Sequence, residues 1–211
     1  MVNSIMKDTL MKTRVLFAAL ALIFISSSVS TSLASDVDKL INVEIDRVIK
    51  GDYVKGRQNL FSILEKYRLS NYGHWVVYNG IGISFQKEKK YQEAITYYTK
   101  AIEADPRQAK GYNNRGFCHR KLKQYREAIA DHEKALKLAP NKAFMWDQYA
   151  IALYSAGEKD KARQAFEKAL ALDQDRPKTY GFLSYYWKKE GDMKKAKYYE
   201  DLYQQKKKAK K

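Results

Sequence analysis

The chain has 211 residues, 45% hydrophobic and 30% charged, which is enough apolar side chain to bury a core and excludes a chain disordered throughout. Only three prolines and ten glycines interrupt it, alanine and lysine abound and alternating β-branched runs are scarce, so helix is favoured over sheet. Forty Lys and Arg against twenty-four Asp and Glu give a net charge of +16, a field that favours anionic partners or surfaces, while the single cysteine, Cys118, excludes an intramolecular disulfide.

From the amino terminus, Met11-Lys12-Thr13-Arg14 precedes the apolar run Val15 to Ile25, and a Ser-rich stretch ends in Ser32-Leu33-Ala34. Basic, then apolar, then small is the order of a cleavable secretory signal peptide, so residues 1–34 are predicted to be removed after Ala34 and the mature chain to be exported, to the periplasm before any other destination. The rival is an uncleaved membrane anchor, but the run before Ser26 holds eleven residues, short of the ~20 that span a bilayer as helix.

Residues 35–74 read as a degenerate helical hairpin: Gly51-Asp52-Tyr53 is the turn, Val37 to Lys50 and Val54 to Tyr67 are the helices, and Ser70-Asn71-Tyr72-Gly73-His74 is the joint to the remainder of the chain. Glu44 and Gly56 stand in this hairpin where small residues and alanine belong.

Blocks then begin at Trp75, Ala109, Ala143 and Pro177, each thirty-four residues after the last. An aromatic is fourth (Tyr78, Tyr112, Trp146, Tyr180), a small residue eighth (Gly82, Gly116, Ala150, Ser184) and alanine twentieth (Ala94, Ala128, Ala162, Ala196). A second small position comes later at Ala101, Ala135 and Ala169, with Tyr203 breaking the series in the last block. Small positions let two antiparallel helices approach closely, and the bulky positions fill the space between neighbouring helices. Breaks such as Lys87-Glu88-Lys89-Lys90 and Ala156-Gly157-Glu158-Lys159 are long enough only for a hairpin turn. One such hairpin cannot bury both its apolar sides, so the blocks must stack.

The segments Tyr91-Gln92-Glu93-Ala94-Ile95 and Tyr125-Arg126-Glu127-Ala128-Ile129, with Pro106 and Pro140 closing their blocks, resemble the tetratricopeptide repeat. The resemblance covers residues 75 to about 203 and implies an all-α fold: a right-handed solenoid of about five stacked helix-turn-helix hairpins. The repeats are 75–108, 109–142 and 143–176; residues 177–205 form a repeat-like cap, with Pro177 suited to a first helical turn. Residues 206–211, five of them lysine, are expected to extend into solvent as a disordered basic tail.

The resemblance also implies that the first helix of each hairpin lines a concave groove through positions two, five, six, nine, twelve and thirteen. Of these positions the first block supplies Asn79, Ile83 and Lys87, and the second Lys110, Asn113, Asn114, Phe117, Arg120 and Lys121. The third supplies Asp147, Gln148, Ile151 and Tyr154, and the fourth Phe182, Tyr185, Lys188 and Lys189. Asn and Gln can bind the backbone of an extended peptide whatever its side chains, and Phe117, Tyr154 and Tyr185 offer flat apolar contacts. Some relatives clamp a terminal carboxylate with basic and amide residues; of that set only Asn114 matches here, and Asn79, Ile83, Phe144 and Gln148 replace the rest, so the clamp is not carried over.

The partner implied is a protein or peptide, acidic by charge complement, and the role a non-enzymatic scaffold in envelope assembly or secretion. The repeat pattern leaves the oligomeric state open. No local signature of hydrolase, zinc protease, nucleotide or redox chemistry occurs, so neither catalytic residues nor a cofactor are expected. Two other readings compete. One is contact of the lysine-rich C-terminus with an anionic envelope surface or nucleic acid, the latter opposed by the export signal and by the lack of a basic motif with interleaved aromatics. The other is metal binding by His119 and His132 with Cys118 adjoining; these slots are core slots, where buried, hydrogen-bonded histidines are the expectation.

Overall fold

Ala94, Ala128 and Ala162 are fully buried and Ala196 is 5% exposed, as a stack that brings helices together at these points requires. The computed structural model describes residues 35–209; residues 1–34, where a signal peptide is expected, and the last two lysines lie outside the described residues. Ten helices run in order, with no strand among the described residues: α1 (35–49), α2 (Tyr53–Lys66), α3 (Asn71–Lys87), α4 (Tyr91–Ala104), α5 (Ala109–Lys121), α6 (Tyr125–Leu138), α7 (Ala143–Ser155), α8 (Lys159–Leu172), α9 (Pro177–Lys189) and α10 (Met193–Lys208). Each pair α3/α4, α5/α6, α7/α8 and α9/α10 packs as a hairpin, and each second helix packs on the first helix of the next pair. The architecture is the all-α solenoid of stacked hairpins.

The core runs along the stack as successive apolar clusters. Val37, Ile41 and Val48 meet Leu60, Val77 and Ile81 at one end, and Ala150, Leu153, Ala162 and Phe166 meet Leu183 at the other. Arginine forks staple the seams. Arg115 donates from Nη2 and Nε to the two oxygens of Asp131, at 2.7 and 2.9 Å, and from Nη1 to Thr99 Oγ1 of the preceding repeat. Arg57 of α2 reaches Glu88 and Ser84 of the next hairpin and lies over the Phe85 ring, 4.2 Å from its centre.

Gly56 marks the closest approach of the first hairpin rather than a mismatch to alanine: a Cβ there would stand 2.6 Å from Val48 Cγ2 and 3.2 Å from the Glu44 carbonyl oxygen. Tyr203, which breaks the small-residue series, finds its room at Gly181, where a Cβ would lie 3.6 Å from the ring. Two expectations need correction. The joint at 70–74 is mostly helix, because Ser70 Oγ accepts the Gly73 amide at 3.0 Å and caps α3 a full turn before Trp75. The basic tail is also helical through Lys208: Lys206 reaches Asp175 at 3.9 Å and Lys207 lies 5.6 Å from the Tyr203 ring centre, so the lysine run has partners along the helix.

The hairpin turns repeat one backbone feature. Lys89 and Lys123 adopt φ 62°, and the equivalent residues thirty-four and sixty-eight positions on, Gly157 and Gly191, adopt φ 89° and 83°. A side chain is disfavoured in this left-handed region and glycine is not. Lys89→Gly and Lys123→Gly are each expected to stabilise the fold by about 0.5–1 kcal/mol. Thermal unfolding checks this: each change should raise the midpoint by about 1–4 °C, and a fall would contradict it.

Candidate functional site

The first helices of neighbouring repeats touch one another directly, α3 with α5, α5 with α7 and α7 with α9. Asn114 of α5 donates from Nδ2 to Asn79 Oδ1 of α3 at 3.1 Å. Arg176, just before α9, donates from Nε to Asp147 Oδ2 of α7 at 2.7 Å, its Nη2 joins the same oxygen, and Thr179 Oγ1 donates to Asp147 Oδ1 at 2.8 Å. Burial pushes the Asp147 carboxyl above its ordinary value, and the Thr179 and Arg176 hydrogen bonds pull it back.

The groove residues expected from the sequence therefore divide. Asn79 and Asp147 are buried and held by neighbouring repeats, and Ile83 packs half-buried between two core clusters. Lys110, Lys121 and Lys188 are exposed. Phe117 is half-buried beneath two cations, with Arg120 at 5.2 Å and Lys121 at 5.5 Å from its ring centre. Burial lowers the Arg120 guanidinium from its ordinary value. Tyr154 and Tyr185 meet edge to face with centroids 6.1 Å apart. Asn113 Oδ1, Arg120 Nε and Gln148 Oε1 are buried and find no hydrogen-bonding partner among the described residues, and such atoms are few in a folded chain.

Between α7 and α9 lies a cavity of about 450 Å³. Ile151, Pro177 and Phe182 give it apolar walls; Gln148, Asp147 and Lys178 give it polar ones. Phe182 stacks on Phe166 at 5.0 Å yet stays 40% exposed, so its ring has one face in the core and one free. Arg176 and Thr179 were not foreseen from the repeat positions. The signal for them was an acid at position five with a threonine at position three of the next block, a pairing that becomes visible only once the blocks are stacked.

The histidine pair is not a unit. His132 is fully buried, and neither ring nitrogen has a partner among the described residues, which corrects the expectation of a hydrogen-bonded core histidine. His119 is half-buried, with Nδ1 2.7 Å from Gln124 Oε1 and Nε2 3.8 Å from Asp131 Oδ2. Cys118 is buried near Gln86 Oε1, at 3.8 Å, where burial pushes its thiol up to about 12. Among the described residues no group of three or more His, Cys, Asp or Glu is placed to hold a metal ion.

A stack of helical hairpins whose first helices meet from repeat to repeat defines a repeat scaffold. Two family models described as tetratricopeptide repeat match the chain, one at residues 75–108 and 109–142 and the other at 143–176, so the chain carries tetratricopeptide repeats at these positions. Solved structures of the same fold include a crystal structure of MamA, at 19% identity and TM-score 0.69, covering 78% of this chain and 94% of that one. MamA from Desulfovibrio magneticus RS-1 aligns at 19% identity and TM-score 0.71, covering 82% of this chain and 96% of that one. PilF of Pseudomonas aeruginosa aligns at 23% identity and TM-score 0.73, covering 82% of this chain and 78% of that one. No curated protein matches the chain. Tetratricopeptide stacks are protein-binding scaffolds, and the likenesses in structure concern the fold alone.

Proposed function

We propose that this chain is an exported, non-enzymatic scaffold that holds an extended segment of a partner protein along the face built by α3, α5, α7 and α9, with the cavity between α7 and α9 as the anchor point. The observation that carries the reading is that cavity: a space of about 450 Å³ beside a half-free phenylalanine ring. A bulky apolar side chain of the partner fits against Ile151 and Phe182. Lys178 at the cavity, and Lys110 and Lys121 further along the face, favour acidic residues flanking the anchor. The basic, apolar and small order of residues 11–34 supports export and a role at the cell envelope.

Site-specific photocrosslinking tests this in cells expressing the full chain. A crosslinking residue in place of Phe182 should capture a discrete protein partner on chains recovered from the periplasm with Ser35 at their amino terminus. The same residue in place of exposed Lys168, on the outer helix α8, should not. In a second arm, Phe182→Glu should weaken capture by about tenfold or more while far-ultraviolet circular dichroism is unchanged, since a charge would then sit against an apolar anchor. Capture from Lys168 but not from Phe182, or a chain kept in the cytosol with residues 11–34 intact, would overturn the proposal.

A further inference from the structure

The last hairpin, α9 and α10, carries an open cleft. A shift of thirty-four residues shows why. The surface of the third repeat that receives α9 includes Asp147, Ala150, Ala162, Arg163 and Phe166. Asp147 accepts from Thr179, Ala150 and Ala162 lie under Leu183, Arg163 faces the Trp187 ring at 5.8 Å, and Phe166 stacks on Phe182. One repeat later the same positions are Gly181, Ser184, Ala196, Lys197 and Glu200, and they line an open cleft of about 430 Å³ between α9 and α10. The small residues that admit a helix in repeat three are kept here, and Tyr185 and Met193 at the cleft remain 49% and 61% exposed. A terminating repeat is expected to turn a polar face outward; here Lys188, Lys197 and Glu200 supply a charged rim, but Tyr185, Met193 and Ala196 keep an apolar strip within it.

At the opposite end, α1 buries Val37, Ile41 and Val48 in the core and leaves a second apolar stripe outside it, with Leu40 45% and Val43 55% exposed. The two ends also differ in charge. Helix α1 carries Asp36, Asp38, Glu44 and Asp46 against Lys39 and Arg47, while α10 carries Lys194, Lys195, Lys197, Lys206, Lys207 and Lys208 against Glu200 and Asp201. An acidic helix with an apolar stripe at one end complements a basic cleft with an apolar strip at the other.

We propose that the cleft between α9 and α10 receives α1 of a second copy of this chain, so that the solenoid continues from copy to copy. The contact joins different surfaces of the two copies, and it therefore propagates into an open, head-to-tail array instead of closing as a symmetric dimer. It uses the ends of the stack and leaves the cavity between α7 and α9 free, so it stands apart from the peptide-binding reading.

Sedimentation velocity of the protein as purified from cells, over about a hundredfold range of concentration, tests this. The unaltered protein should grow beyond dimer as concentration rises, and less so in high salt, which screens the charge match. Met193→Glu with Lys197→Glu blocks one end and Leu40→Arg with Val43→Arg the other; all four side chains are exposed, and circular dichroism verifies that each variant is folded. Each double variant alone should remain monomeric. An equal mixture of the two should form a one-to-one dimer and nothing larger, because only one intact groove then meets one intact α1. A monomeric unaltered protein, a blocked variant that still assembles by itself, or a mixture that stays monomeric would each overturn the proposal, the first leaving the cleft to a helix of some other protein.

Discussion

Tyr98→Ala is expected to lower the stability of the stack by about 3–5 kcal/mol, the cost of emptying a large buried aromatic site that cannot collapse. Tyr98 is fully buried at the seam between α3 and α4, packed with Ala94, Ile95 and Cys118, and its hydroxyl donates to Gln86 Oε1 at 2.7 Å. Its ring lies where a Cβ on Gly82 would be only 2.7 Å away, so the glycine and the tyrosine are a matched pair and no nearby side chain stands ready to fill the space. In a repeat stack each hairpin leans only on its neighbours, so a weak seam also uncouples the hairpins on either side of it. Urea unfolding monitored by circular dichroism should show a lower midpoint and a broader transition. Tyr98→Phe, which keeps the ring and drops the hydroxyl, should cost about 1 kcal/mol. If Tyr98→Ala unfolded within about 1 kcal/mol of the unaltered protein, this seam would not be the close-packed joint described.

The thirty-four-residue spacing made the repeats legible because close helix approach needs small side chains at fixed intervals, and the alanines at those small positions are all buried. What the spacing could not carry was anything decided between repeats. Asp147 occupies a groove position, yet its charge is committed to Arg176, twenty-nine residues on, because the loop before α9 returns over α7. Asn79 and Asn114 satisfy one another across thirty-five residues. Both pairs turn residues with the composition of a binding surface into joints of the scaffold. The helical course of Lys206 to Lys208 was hidden for a related reason: like charges adjacent in sequence argue for an extended chain, but on a helix they fan out, and Asp175 and Tyr203 lie within their reach. The cavity at Phe182 likewise depends on how two neighbouring first helices splay, which no single block encodes.

His132 provides the second large effect, and its sign is set by burial. Position twenty-four of the repeats holds Tyr98, His132 and Phe166 in turn, all buried, but only the histidine puts two ring nitrogens into the core without a partner among the described residues. Burial, with the Arg120 cation adding to it, depresses the imidazole from 6.5 to about 3. Above pH 6.5 the ring is neutral in both folded and unfolded chains and costs nothing of this kind. Below it the unfolded chain takes up a proton that the folded chain refuses, so stability falls by about 1.4 kcal/mol for each pH unit until the folded-state value is reached. The loss at about pH 4.5 is then on the order of 3 kcal/mol, a large share of the stability of an ordinary domain. His132→Phe restores the aromatic character of the other repeats at this position and removes the titrating group. Urea midpoints measured from neutral pH downward should fall steeply for the unaltered protein and much less for His132→Phe until the carboxylates begin to protonate. Equal slopes for the two proteins would show that the proton is taken up elsewhere and that His132 finds, in solution, a partner for its ring.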